Sequence, residues 1–262
     1  WTGALRGLAA GEALSLGYYD NTELQDWVCA TIAQECPDAV LVFSGVMGRF
    51  VRKRLPAHVP VIFDAEDVDS EKWRSYAQAR RWPLSWLYRR EADKLLAYER
   101  AMAAATHASI FVSAEEAQLF KRIAPESAHK THYRTQGVDS AFFDPQHSFE
   151  NPYAPGQKVL VFTGAMDYWP NVEAVRWFCD RVLPRVRDAV PDFLFCIVGM
   201  KPTEEVRQLG TLPGVRVTGG VPDVRPYLQY AFAACLPLQL ARGIQNKALE
   251  AMAMTLPVLA TQ

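Results

Sequence analysis

The chain has almost no net charge: 28 basic against 29 acidic residues in 262 leave −1 at neutral pH. A nucleic-acid binder needs surplus positive charge to displace counterions from phosphates, so the balance argues against one, and no nucleic-acid partner is expected. Long apolar runs are also missing. No stretch approaches the roughly 20 apolar residues that span a bilayer, and no secretory leader is visible. Cysteine is scarce, with Cys29, Cys36, Cys179, Cys196 and Cys235 alone. Their odd number and wide spacing give neither a disulfide framework nor a zinc pattern, so they read as reduced thiols of a cytoplasmic protein. None of the five histidines has an obvious catalytic setting; His58 and His147 lie in proline-containing loops. No acidic cluster resembles a metal cage, and no metal is expected.

What is abundant is apolar sequence in short pieces, half of all residues. These pieces alternate with helical patterns along the whole chain, which predicts βαβ units and mostly parallel sheets. The expected order begins with a strand at "LSLGYY", a helix over 22–34, strands "DAVLVFS" and "VPVIFDA", and a helical region over 69–105 broken at Pro83. Strand "ASIFVS" follows, with Ser113 capping helix "AEEAQLFKRI". The stretch from Phe142 to Gln157 holds three prolines and no periodicity and reads as an interdomain linker. After it the alternation restarts with "KVLVFTG", "FLFCIVG", "GVRVTG", "FAACLPL" and "PVLAT" as strands. The fold class is therefore α/β, with two Rossmann-like doubly wound domains at 1–150 and 151–262. Both are expected to be truncated at the chain ends, because the sequence starts at Trp1 and stops just after a strand-like segment.

In open α/β sheets ligands bind beyond the carboxyl ends of the strands, which directs attention to the loops there. Gly164 in "TGAMDYWPN" allows close backbone approach to a ligand, Gly199 follows "FCIV", and paired Gly219 and Gly220 in "TGGVPDVRPY" precede a turn; the geometry of βα turns accounts for each glycine taken singly. Asn171 or Pro170 is placed to begin a helix, and Asp223 to cap one. The fourth loop leads into "GIQNKALEAMAMTLPVLATQ", where Asn246 is a candidate N-cap and Lys247 and Glu250 fall in the opening turns of a helix. A helix N-terminus with a nearby lysine and Arg242 suits a phosphate-bearing ligand. A capped surface helix carrying an ion pair accounts for the same residues.

Two features stand out in the first half. "DAEDVDSEKW" follows a predicted strand, so Asp64 and Asp67 are candidates for a catalytic base or for acceptor positioning, with a helix-capping cluster as the alternative. "ARRWPLSWLYRREADKLLAYER" interleaves Arg80, Arg81, Arg89 and Arg90 with Trp82 and Trp86. Basic and aromatic residues on one surface suit peripheral contact with an anionic membrane, at the inner face of the plasma membrane for a cytoplasmic protein; an ordinary helical pair with buried aromatics is the alternative.

The set "VFTGAMDYWPN", "FCIVG", "GVRVTGGVPDVRPYL" and "ARGIQNKALEAMAMTLPVLAT" resembles the donor-binding domain of family-four glycosyltransferases of the GT-B fold. The nearest likeness is to the sugar transferases associated with PEP-CTERM/exosortase exopolysaccharide systems of bacteria. "DVDSEKWRSYA", "FVSAEEAQLF" and "GVDSAFFDP" are similar to stretches of the same group, so the resemblance spans the chain. It implies a retaining hexosyltransferase-like enzyme that takes a nucleotide-sugar as substrate, needs no metal, and passes the sugar to a glycan or polyprenyl-linked acceptor. Glu250 matches the second glutamate of the family's Glu-x7-Glu motif, which holds the ribose. The first glutamate falls on Arg242, a departure, since a guanidinium cannot accept hydrogen bonds. Lys247 matches a lysine over the diphosphate, and Gly220 and Val221 a turn whose backbone meets the base. The family's usual Arg and Lys after the first strand of this domain are absent. A sugar-nucleotide epimerase of similar fold and a non-catalytic nucleotide-sugar-binding scaffold are the rival readings.

Overall fold

The computed structural model describes residues 2–51, 58–239 and 243–261. It forms two compact units, one from the chain up to Gln136 and one from Gly137 onward, with Gly243 and Ile244 grouping with the first.

In the first unit the elements follow as α1 (Thr2–Ala9), α2 (Leu14–Tyr18), α3 (Thr22–Glu35), β1 (Val40–Phe43), β2 (Val61–Glu66), α4 (Asp69–Gln78), α5 (Leu84–Ala105), β3 (Ala108–Phe111), α6 (Ala114–Ile123) and β4 (Thr131–Tyr133). The strands are parallel in the order β1-β2-β3-β4. Phe63, Val68, Met102, Phe111 and Phe120 fill the core between them and the helices. Ser113 caps α6 as its sequence predicts, accepting from Glu116 N. "LSLGYY" is not a strand. It forms the short helix α2, because the buried carboxylate of Glu91 accepts from Leu14 N at 2.6 Å and from Ser15 N at 2.8 Å and so satisfies the helix start.

The second unit runs β5 (Lys158–Thr163), α7 (Trp169–Arg181), α8 (Leu183–Ala189), β6 (Phe193–Val198), α9 (Glu204–Leu209), β7 (Val215–Gly219), α10 (Arg225–Gln229), β8 (Ala233–Leu236), α11 (Asn246–Ala253) and β9 (Val258–Ala260). Its parallel sheet has the order β7-β6-β5-β8-β9. Alternate residues of each central strand enter opposite cores. Leu160, Phe162, Phe195 and Ile197 pack with α7, α8 and α9. Val159, Val161, Cys196 and Val198 pack on the other face with Leu228 and Ala251. Burial on both faces is why these strands read as unbroken apolar runs.

The division between units precedes the expected boundary at 150/151. Phe143, Phe149 and Tyr153 pack into the second unit's core. Residues in and beside α10 also tie this irregular segment down: Gln229 Nε2 donates to the carbonyls of Pro145 and His147, Tyr153 Oη donates to the Tyr227 carbonyl, and the Arg225 guanidinium covers the Phe142 ring at 3.8 Å. Bonded in this way, the segment is part of a domain rather than a free linker.

Candidate functional site

In the second sheet the chain reverses direction of winding between β5 and β8, the switch point at which such sheets leave a crevice at their carboxyl edge. The turns after β5, β6 and β7 meet there and brace one another. Gly164 N donates to Val198 O at 3.0 Å, Gly199 N to Gly219 O at 3.1 Å, and Met166 N to Met200 O at 2.9 Å. Two glycines make this approach possible. A side chain on Gly199 would land on the carbonyl oxygen of Gly164. Gly164 itself has φ +151°, and a Cβ there would lie 2.7 Å from Asn171 Nδ2 and 3.4 Å from Lys247 Nζ. Gly220 differs, since a Cβ would make only ordinary contact with Met200.

The turns and the start of α11 enclose a cavity of about 360 Å³, lined by Thr163, Gly164, Ala165, Val198, Gly199, Met200, Gly220, Val221, Val224, Asn246, Lys247 and Glu250. It gathers Gly164, Gly199, Gly220, Val221, Lys247 and Glu250 from four separate loops. Arg242 lies outside the described residues. Asn246 is not the cap of α11: Gln245 holds that position and makes no side-chain cap bond, so the opening N–H groups of the helix have no side-chain acceptor from it.

Lys247 does not form the surface ion pair that its spacing from Glu250 allows. Its ammonium donates to Asn171 Oδ1 at 2.7 Å and lies 4.7 Å from the centre of the Phe162 ring. Asn171 is itself buried, and its Nδ2 donates to the Ala165 carbonyl at 3.0 Å, so one amide couples the β5 turn to the lysine. Burial pushes the Lys247 ammonium down to about 8, against an opposing pull from Glu250. Burial raises the Glu250 carboxyl, which Lys247 lowers in turn. An ammonium destabilised by burial gains much from an arriving anion, which restores the favourable interaction that burial removed. Asn171 was legible only as a helix start; an amide just after a strand-end glycine loop is the signal for its second task.

Asp64 and Asp67 lie in the first unit. Asp64 is buried at the end of β2, with Arg134 Nη2 at 3.4 Å. Asp67 follows β2 in the turn to α4. Burial pushes its carboxyl up to about 6, with Glu116, Asp69 and Glu66 adding to the rise and Lys72 opposing it. This turn is not a self-capping cluster. The start of α4 is held by carboxylates from other helices: Glu116 accepts from Val68 N at 2.8 Å and Glu99 from Ser70 N at 2.9 Å. Of the turn's own acidic side chains, Asp69 pairs with Lys72 at 3.7 Å.

The basic aromatic stretch forms the α4–α5 hairpin. Trp73 packs edge-on against Tyr88 with ring centres 5.1 Å apart, while Trp82 and Trp86 are exposed. Arg80, Arg81 and Arg89 are exposed, and Arg90 is half-buried with Nη2 3.4 Å from the Leu8 carbonyl.

Residues 157–262 match the sequence model of the family described as Glycosyl transferases group 1. None of the curated proteins matches the chain. Among solved structures, the fold is similar to WaaG, a glycosyltransferase involved in lipopolysaccharide biosynthesis, with TM-score 0.65 and 18% identity over 92% of this chain and 64% of that one. It is similar to Anabaena Alr3699/HepE in complex with UDP and glucose, at TM-score 0.57 and 12% identity over 88% and 61%. A third is S. aureus MnaA with UDP, at TM-score 0.51 and 13% identity over 92% and 61%. The chain thus spans less than two thirds of the length of these relatives. At such identities the likeness is one of fold: two parallel Rossmann-like sheets in the GT-B arrangement of elements.

Proposed function

We propose that this chain belongs to a nucleotide-sugar glycosyltransferase and supplies its donor site from the carboxyl edge of the second sheet. The observation that carries the reading is the cavity in which Lys247, at the start of α11, faces glycine turns from three strands. Family likeness over that same segment and UDP in neighbours of similar fold support it.

In this reading the diphosphate lies against the opening turn of α11, where backbone N–H groups and the Lys247 ammonium meet its charge. Glu250 accepts the ribose hydroxyls, and the Gly220–Val221 backbone meets the base. Arg242 takes a phosphate oxygen in place of the carboxylate expected there. The bond from the sugar's anomeric carbon to the β-phosphate oxygen breaks, and a bond to an acceptor hydroxyl oxygen forms with retention of configuration. Charge grows on the departing diphosphate, so cations and helix N–H groups that meet it stabilise the transition state. These groups serve in place of a metal, and activity is expected to persist in a chelator. Asp67, poised to exchange a proton near neutral pH, is assigned the acceptor proton, with Asp64 held by Arg134 beside it. The acceptor is a glycan or polyprenyl-linked glycan, and the setting is bacterial exopolysaccharide assembly of the PEP-CTERM-associated kind.

Isothermal titration with a panel of nucleoside diphosphates tests the donor site. At least one is expected to bind, and Glu250→Ala to weaken it by about 1–3 kcal/mol through loss of the ribose hydrogen bonds. Binding by none of them overturns the reading; an unchanged affinity in the variant removes the Glu250 assignment.

A further inference from the structure

The amide of Asn171 ties together two parts of the cavity that lie 76 positions apart in the chain. It sits in the first turn of α7, directly after Pro170, and is 5% exposed. Its Nδ2 donates to the Ala165 carbonyl at 3.0 Å, and its Oδ1 accepts from the Lys247 ammonium at 2.7 Å. The opposite orientation would set two acceptors against each other at Ala165 and two donors against each other at Lys247, so the partners fix which way the amide points. Gly164 leaves room for the pair, since a Cβ there would lie 2.7 Å from Asn171 Nδ2 and 3.4 Å from Lys247 Nζ. The buried Phe162 ring closes a further side of the ammonium at 4.7 Å. An ammonium has three N–H donors. With one committed to Asn171, others can meet a ligand in the cavity that Lys247 lines.

The chemistry of the partner matters as much as its place. A carboxylate at position 171 would form an ion pair with Lys247 and compete with a phosphate for it, whereas an apolar residue would leave a buried ammonium with no fixed acceptor. A neutral amide holds the ammonium still and leaves its charge to the ligand. Among the described residues that line the cavity, only Lys247 and Glu250 ionise, and Glu250 is the group whose charge acts on the ammonium. Phe162 and Asn171, which meet the ammonium from β5 and α7, carry no charge. We propose that Asn171 is a positioning residue of the donor site, which aims the Lys247 ammonium at the diphosphate and keeps its charge available there. The inference rests on the donor-site reading and adds to it a residue that touches the cation and does not itself line the cavity.

Isothermal titration of the full chain with UDP, GDP, ADP and dTDP tests it, repeated across neutral and mildly alkaline pH with the nucleotide that binds tightest. Asn171→Leu should weaken binding by about tenfold or more near neutral pH and move the decline of affinity to lower pH, because the ammonium loses its acceptor. Asn171→Asp should also weaken binding by about tenfold, through competition for the ammonium, but move the decline to higher pH, because a carboxylate favours the charged lysine. With Lys247→Met already in place, Asn171→Leu should change affinity by less than about twofold. Displacement of the two pH profiles in opposite directions is a result that packing alone would not give. Circular dichroism and melting temperature identify the folded variants, and Asn171→Asp, of nearly the same size, decides the matter where leucine is not accommodated. If Asn171→Leu costs as much affinity without Lys247 as with it, or if the variants keep the parent's pH profile, Asn171 acts by packing and the proposal is wrong. Binding of no nucleotide by the parent chain removes the donor-site reading and this proposal with it; binding by the parent that the variants leave intact overturns the role of Asn171 alone.

Discussion

Lys247 illustrates how a charge is placed where water would ordinarily oppose it. Its burial beside Phe162 and Asn171 lowers the ammonium to about 8, so an anion entering the cavity would raise it again. The sign of the effect is fixed. Only the protonated form attracts a diphosphate, so affinity for the bound nucleoside diphosphate should fall as pH rises through about 8. Titration calorimetry across that range checks it, and a flat profile would contradict it. Lys247→Met should lose about 1.5–3 kcal/mol of affinity near neutral pH and with it the decline.

At the scale of elements, buried carboxylates act as fasteners between helices that are far apart in sequence. Glu91 of α5 receives Leu14 N, Ser15 N and Ser15 Oγ at the start of α2. Removing it orphans three donors, and Glu91→Ala should cost about 3 kcal/mol in urea unfolding, since each poorly solvated donor carries a penalty of its own. A loss below about 1 kcal/mol would mean that water replaces the carboxylate and that α2 is held by packing alone. Similar fastening by Glu99 and Glu116 fixes the turn that carries Asp67, which is how an acidic loop keeps a definite shape without capping itself.

Over the whole molecule these carboxyls set a pH dependence. Burial pushes Glu99 up to about 8 and Asp67 to about 6, and raises Asp69, Glu66 and Glu250 as well. A group with a raised folded-state pKa binds a proton on folding, so the stability it contributes is complete below its unfolded value near 4.5 and is lost as pH rises through the folded value. Stability should therefore decline between about pH 5 and pH 8 rather than plateau. Lys247 acts in the opposite sense at higher pH, its lowered pKa adding stability as pH climbs above about 8. Glu99→Gln keeps an acceptor for Ser70 N without the titrating proton, and should flatten the decline when melting temperature is followed against pH. An unchanged slope would show that Glu99 does not carry it.

Much of this was written in local sequence. The apolar runs of β5 and β6 follow from burial on both faces, the glycines at their ends from turns that must stack, and the cap at Ser113 from its own neighbours. Those signals act over a few residues, so periodicity and turn chemistry reveal them. Tertiary structure decided what depends on partners far along the chain. "LSLGYY" became a helix because a carboxylate 77 positions away meets its first N–H. Lys247 left Glu250 for an amide 76 positions away, which turned a possible surface pair into the charge of a cavity. The segment after Gly137 joined the second unit because side chains in and beside α10 hold its carbonyls and its rings. In each case the deciding bond joins groups that become neighbours only once the core has formed, and the local pattern has no way to register it.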